Sequence, residues 1–132
     1  MKVAYFDSSA IVKLEHLERE SLALIDYLSN DQMEASTSIV AGVEVARALA
    51  RVQATPAPST DTLRGFYLIG LAPAICAVAG NLESATLRSL DAIHLATALA
   101  IDADLEFVTY DERLAVAARE HGLRVVQPGR PF

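Results

Sequence analysis

Four of the seventeen acidic residues sit where a strand is predicted to end, where a helix is predicted to begin, or inside an apolar helix. Asp7 follows the β-prone run KVAYF and precedes Ile11, Val12 and Leu14 at helical spacing, so it falls where a strand meets a helix. Asp91 lies in the first turn of a helix read from Leu90, Ile93, Leu95 and Leu99, with Ser89 in the N-cap position. Beside unpaired N–H groups and the positive end of the macrodipole, its carboxylate is expected to stay ionised. Asp111 opens the helix DERLAVAAREHG, which Gly122 closes, directly after a short buried strand, Leu105 to Thr109. Glu44 lies inside a long helix between Val43 and Val45.

Taken singly, each aspartate is accounted for by capping, which is common and stabilises a helix by roughly 1 kcal/mol. Glu44 is accounted for by an exposed stripe with Arg47 and Arg51, since Arg51 returns to within about 20° of its direction. Taken together, four carboxylates converging on one end of a sheet would repel one another by several kcal/mol unless cations lay between them. All-oxygen ligands point to Mg²⁺, with Mn²⁺ as the alternative. Zinc does not fit, because His16, His94 and His121 lack a ligand spacing with one another. Hard cations among carboxylates suit phosphodiester hydrolysis, in which the metal activates water and offsets the charge of the pentacovalent phosphorus. His94, one turn after Asp91, is read as packing rather than as a general base, because a metal lowers the pKa of water without help from a protein base.

Positioning these acids requires a parallel sheet. Helical patterns connect most strands, in the order β, α, α, β, α, α, β, α, α, β, α, β, which implies an α/β fold with a short-stranded, mainly parallel sheet covered by helices on both faces. In such sheets ligands gather at the carboxyl ends of the strands. The charged run 15 to 30 is predicted to be one amphipathic helix with Leu17, Leu22, Ile25 and Leu28 inward and His16 at the surface. Glu34 to Thr37 is predicted as a strand, and Ser38 as the cap of a helix over 39–53 with Ile39, Val43, Ala46, Ala50 and Val52 on the core face. ATPAPST (54–60) marks a loop before a short helix around 60–67. A strand (Leu68 to Ala72), a helix (Pro73 to Ala79) and a polar connection (81–86) follow. Leu123 to Val126 makes the last strand, and QPGRPF is expected to be an exposed tail.

At 132 residues the chain makes one domain able to bury roughly two thirds of its unfolded surface. Cys76 is the only cysteine, which excludes a disulfide framework and a thiolate metal site and suits a reducing cytoplasm. No signal-peptide pattern opens the sequence. Gly65 to Leu82 is uncharged for eighteen residues, but Gly70, Pro73, Gly80 and Asn81 divide it, so a membrane span is not expected. The net charge of −6 argues against coating nucleic acid by bulk charge. It does not argue against a nuclease whose bound cations invert the local sign. Arg47, Arg51 and Arg88, near the acids in sequence, are the candidates to hold phosphates flanking a scissile bond.

YFDSSAIVK, the segment Glu44-Val45-Ala46-Arg47-Ala48 after Ser38, RSLDAIHLATAL and FVTYDERLAVAA together resemble the four successive motifs of the PIN-domain nucleases. Among these the chain is most similar to the VapC toxins of type II toxin-antitoxin modules, and the resemblance spans nearly the whole chain. It implies a metal-dependent endoribonuclease with a metal-binding acidic cluster at Asp7, Glu44, Asp91 and Asp111, and with Ser9 and Thr109 as supporting hydroxyls. It further implies RNA substrates, often transfer RNA or a ribosomal RNA loop, whose cleavage inhibits translation, and a VapB-type antitoxin whose tail fills the groove. A homodimer and promoter DNA bound only through the antitoxin complete the expectation.

Two stretches depart from the family's usual look. EHLERE replaces a Pro- or Gly-containing break after Leu14, so the first two helices are expected to be nearly continuous. PAICAVAG (73–80) is apolar all round, and such a helix is buried somewhere, so 66–80 is expected to include a self-association or partner surface. Two other functions compete. A phosphoacceptor receiver domain needs a lysine late in the chain, whereas lysine occurs only at positions 2 and 13. A non-catalytic PIN-like domain that binds RNA or a partner would have no need of all four acids.

Overall fold

The computed structural model describes residues 2–30, 33–52, 63–84 and 86–131. Five strands form one sheet in the order β3-β2-β1-β4-β5, and every neighbouring pair is parallel. They are β1 (Lys2–Phe6), β2 (Met33–Ser38), β3 (Tyr67–Ile69), β4 (Leu105–Val108) and β5 (Arg124–Val126). Among the described residues six helices cover it: α1 (Ser8–Glu15), α2 (Ser21–Leu28), α3 (Ala41–Val52), α4 (Pro73–Gly80), α5 (Ser89–Leu99) and α6 (Glu112–Glu120). The predicted α/β architecture is therefore present. The predicted 54–60 loop and residues 60–62 of the predicted 60–67 helix lie outside the described residues; the rest of that stretch is not helical but a turn at 63–65 and a bend at Phe66 that lead into β3.

β1 lies at the centre of the sheet and is buried on both faces, which is why it reads as a nearly continuous apolar run. Its side chains alternate. Ala4 and Phe6 join Ile11, Leu24, Val45 and Leu49 beneath α1–α3, while Val3 and Tyr5 join Leu95, Phe107 and Leu114 beneath α5 and α6. The aromatic rings of Tyr5 and Phe107, register partners on β1 and β4, stack with centroids 5.4 Å apart. This two-sided burial fixes the carboxyl ends of β1 and β4 side by side.

Several local expectations are corrected. α1 and α2 are not continuous, because His16 takes an extended conformation (φ −120°, ψ 113°) and α2 starts only at Ser21. Glu20 turns inward to Lys13, 3.0 Å away, and sets the phase of α2. Ser21 and Leu24 are therefore buried while Leu17, Leu22 and Ile25 face solvent. In α3 the core stripe is Ala41, Val45 and Leu49, whereas Ile39, Val43 and Val52 are exposed. The segment carries two apolar stripes, and the sheet takes the one containing Leu49. α4 buries Ile75 against α5 but leaves Val78 exposed, as are Tyr67, Leu68 and Leu71 before it, so within this chain the helix is not enclosed. The tail is not free, since Gln127 and Arg130 bond back to the body of the protein. Among the described residues no helix is long and apolar enough to cross a membrane.

Candidate active site

The carboxyl end of β1 runs straight into α1, and Asp7 occupies the junction as the N-cap (φ −84°, ψ 178°), accepting a bond from Ala10 N at 3.1 Å. Its carboxylate is only 3% exposed and accepts further bonds from Ser9 Oγ at 2.7 Å and Thr109 Oγ1 at 2.6 Å. Burial pushes its pKa up to about 6 from 3.8, against the opposing pull of Thr109, His94, Ser9 and the Ala10 amide. Ser9 Oγ also ties the start of α1 to the segment after β4 by accepting from Tyr110 N at 3.0 Å, and Thr109 Oγ1 accepts locally from Asp111 N at 3.1 Å.

Glu44, in the first turn of α3, reaches back across α1. Its Oε1 accepts from Ser8 Oγ at 2.6 Å and lies 2.7 Å from His94 Nε2. The other ring nitrogen, Nδ1, lies 2.8 Å from the Tyr5 hydroxyl. Burial raises the pKa of that phenol, so it keeps its proton. The Glu44 carboxylate can only accept, so Nε2 carries the hydrogen donated to it, and in the neutral ring Nδ1 accepts from the phenol. Burial raises the Glu44 pKa, but the bond and charge of His94 and the Ser8 hydroxyl outweigh it and leave the net shift downward. His94 is thus a buried residue bonded through both nitrogens, and it also lines the cleft beside Glu44. Ser8 and Tyr5 escaped sequence reasoning. The available signal was a histidine on a helix's buried face, which must find polar partners.

Asp91 is in the first turn of α5 as expected, but the helix starts at Ser89 itself, with Arg88 at the N-cap and no side-chain capping bond. The helix start is not the only influence on its charge. Half-burial, followed by the Asp111 charge, raises the Asp91 pKa, with Glu44 adding to the rise and His94 and Arg88 opposing it. Asp111 caps α6, and its Oδ1 accepts from Arg113 N at 2.9 Å and Leu114 N at 3.2 Å.

Asp7, Ser9, Glu44, Asp91 and Asp111 line one open cleft of about 380 Å³, together with Arg47 and Arg51 of α3. Thr109 lies beneath it. Arg88 stands outside the lining, exposed at the start of α5. Exposed Val43 and Leu90, expected in the core, form apolar parts of the wall. In this side-chain arrangement no three His, Cys, Asp or Glu among the described residues form a ready-made metal cluster. Glu44 is turned to Ser8 and His94, and one Asp111 oxygen is turned to its own helix. The donor set nonetheless suits a hard cation, because it is all oxygen and the half-buried Asp91 is repelled by its neighbours Asp111 and Glu44.

A family model described as PIN domain matches residues 4–120. The chain belongs to the PIN-domain family. This PIN domain is 39% identical over 130 residues to Ribonuclease VapC46 of Mycobacterium tuberculosis, a match covering 97% of this chain and 99% of that protein. It is 37% identical over 131 residues to Ribonuclease VapC35 of the same species, covering 96% of this chain and 97% of the relative. Among solved structures, M. tuberculosis VapC20, described as a sarcin-ricin loop cleaving toxin, superposes with a TM-score of 0.75 at 12% identity over 95% of this chain and 99% of its own. A toxin-antitoxin complex from Klebsiella pneumoniae gives 0.69 at 22% identity, over 98% of this chain and 99% of that one. At those identities the solved structures speak for the PIN fold alone.

Proposed function

We propose that this PIN domain is a metal-dependent endoribonuclease, the toxin of a type II toxin-antitoxin module, which inhibits translation until a VapB-type antitoxin neutralises it. The observation that carries the reading is the meeting of Asp7, Glu44, Asp91 and Asp111 in one cleft that Arg47 and Arg51 also line. The curated relatives named as VapC ribonucleases, similar over nearly their full length, support the substrate class.

Asp7, Glu44, Asp91 and Asp111 would hold Mg²⁺, or Mn²⁺ in its place. When bound, the cation supplies the Lewis acidity that polarises water and offsets charge developing on the phosphoryl oxygens. The chain's own residues do the positioning. Ser9 and Thr109 clamp the buried Asp7 carboxylate between two strand ends, and Ser8 with His94 sets the direction of Glu44. Arg47 and Arg51, with Arg88 outside the lining, hold phosphates on either side of the scissile bond, contacts that position RNA without reading its bases. Transfer RNA or a ribosomal RNA loop is the expected target. A VapB-type tail occupying the same cleft would exclude RNA, and solved neighbours that are toxin-antitoxin complexes support such a partner. Two copies are taken to meet through the exposed apolar face of β3 and α4.

The test is cleavage of total RNA by the purified protein, with Mg²⁺ and with EDTA, alongside Asp7→Ala and Asp91→Ala. Discrete new ends that need the cation and both aspartates are expected. Equal cleavage by either variant, or by the EDTA-treated protein, would overturn the reading.

A further inference from the structure

The three residues that lead from β4 into α6 carry Thr109, Tyr110 and Asp111, and side chains hold much of this short segment. On the cleft side, Ser9 Oγ takes the Tyr110 amide and Thr109 Oγ1 takes the Asp111 amide. On the far side the C-terminal residues take the carbonyls: Gln127 Nε2 donates to Thr109 O at 2.9 Å, and Arg130 Nη1 donates to Tyr110 O at 3.1 Å. The segment is thus gripped at its amides from the cleft and at two carbonyls from the chain's end.

The gripping residues are themselves anchored. Arg130 Nε pairs with the buried Glu20 at 3.0 Å, and the same guanidinium lies over the Tyr110 ring, 5.1 Å from its centroid. Tyr110 OH donates in return to Pro128 O at 2.7 Å. Gly129 adopts φ +90° and lies so close to α2 that a Cβ there would meet Glu20 and Ala23 at 3.2 Å, so the turn presses the tail onto the body. Lys13 and Arg130 together hold the Glu20 carboxylate at a pKa of about 2, well below the usual glutamate range, so the anchor stays charged.

We propose that residues 127–130 form a strap that positions the Thr109–Asp111 segment for the cleft, with Gln127 and Arg130 as positioning residues. Its functional half rests on the nuclease reading above. Thr109 reaches Asp7 at 2.6 Å and Asp111 faces the cleft, so loosening two carbonyls displaces both groups by way of the backbone they share. Neither strap residue lines the cleft. The strap therefore acts on turnover more than on RNA capture.

The experiment uses the full chain and compares Gln127→Leu, Arg130→Met, Arg130→Lys and Val3→Ala. Amide hydrogen exchange is read at Tyr110 and Asp111, and at Phe107 as an internal reference. RNA cleavage is resolved into kcat and KM at a temperature where every variant is folded. Gln127→Leu and Arg130→Met should speed exchange at Tyr110 and Asp111 by about tenfold relative to Phe107, and should lower kcat by about tenfold with KM little changed. Arg130→Lys, which keeps the charge but not the fork, should fall between. Val3→Ala loses core packing at the amino end of β1, away from both the strap and the cleft, so its exchange ratio and kcat should match the parent. Exchange ratios and kcat within twofold of the parent in Gln127→Leu and Arg130→Met would overturn the proposal. So would a fall in kcat in Val3→Ala as large as theirs, which would make the strap's effect one of general stability. If the parent itself does not cleave RNA, the nuclease reading fails, while the exchange ratio still decides whether the strap holds the segment.

Discussion

Replacing Asp7 by Asn should stabilise the metal-free protein while abolishing its activity. In the fold the Asp7 carboxyl takes up its proton near pH 6, against 3.8 for an ordinary aspartate, because burial penalises the charge. Below pH 3.8 the group is protonated in the folded and unfolded chains alike. Between 3.8 and 6 the folded chain binds more protons, so this group's contribution to stability falls as pH rises. Above pH 6 the whole cost is present, about 3 kcal/mol at about 1.36 kcal/mol per pH unit. Asparagine removes the charge but cannot accept from Ser9, Thr109 and the Ala10 amide all at once, a loss of about 1 kcal/mol. Urea unfolding in EDTA should therefore show Asp7→Asn more stable by about 1–3 kcal/mol at pH 7.5, with the difference shrinking to zero or reversing at pH 4. Mg²⁺ should raise the stability of the parent and leave the variant unmoved, since a cation bound by the native state alone stabilises it. A variant no more stable than the parent at pH 7.5, or a difference independent of pH, would refute the claim that a buried, ionised Asp7 is held there at a cost to the fold.

His94→Ala should lower stability by about 1–3 kcal/mol by leaving Tyr5 and Glu44 without their partner, and should lower kcat by freeing Glu44, as read in urea melts and cleavage assays. Leu49→Ala should cost about 2–5 kcal/mol, whereas Val43→Ala, on the cleft wall, should stay within about 0.5 kcal/mol, so equal costs would contradict the observed face of α3. Val78→Glu should halve the mass seen by light scattering without changing the circular dichroism spectrum, because Val78 is exposed on α4. Ile75→Glu would unfold the helix's contact with α5 instead, since Ile75 is buried.

The site was largely legible in the sequence because it is built at boundaries. Asp7 and Asp111 stand where a β-prone run gives way to helical spacing, and in a parallel sheet such junctions collect at one end. Ser9 and Thr109 followed from the family resemblance, and both hydroxyls do reach Asp7. What stayed hidden depends on contacts distant in sequence. The phase of α2 is set by a buried Lys13–Glu20 pair that looks, in sequence, like two surface charges. Arg130 is held by a glutamate 110 residues earlier, so its segment read as a loose tail. The 39–53 segment offered two apolar stripes of similar quality, and only packing against the sheet chose between them. The upward push on the Asp91 pKa was likewise not visible, because its half-burial and its neighbours Asp111 and Glu44 come from elements distant in sequence.

The central claim, that these acids form an RNA-cleaving centre, is tested most directly in living cells. The intact gene and an Asp7→Ala, Asp91→Ala version are induced in bacteria without the antitoxin, and the 5′ ends of total RNA are mapped. The account predicts growth arrest and a small set of new RNA ends for the intact protein, and neither for the variant at equal folded abundance. An identical RNA-end profile for the two would contradict it and leave a PIN domain that binds without cutting.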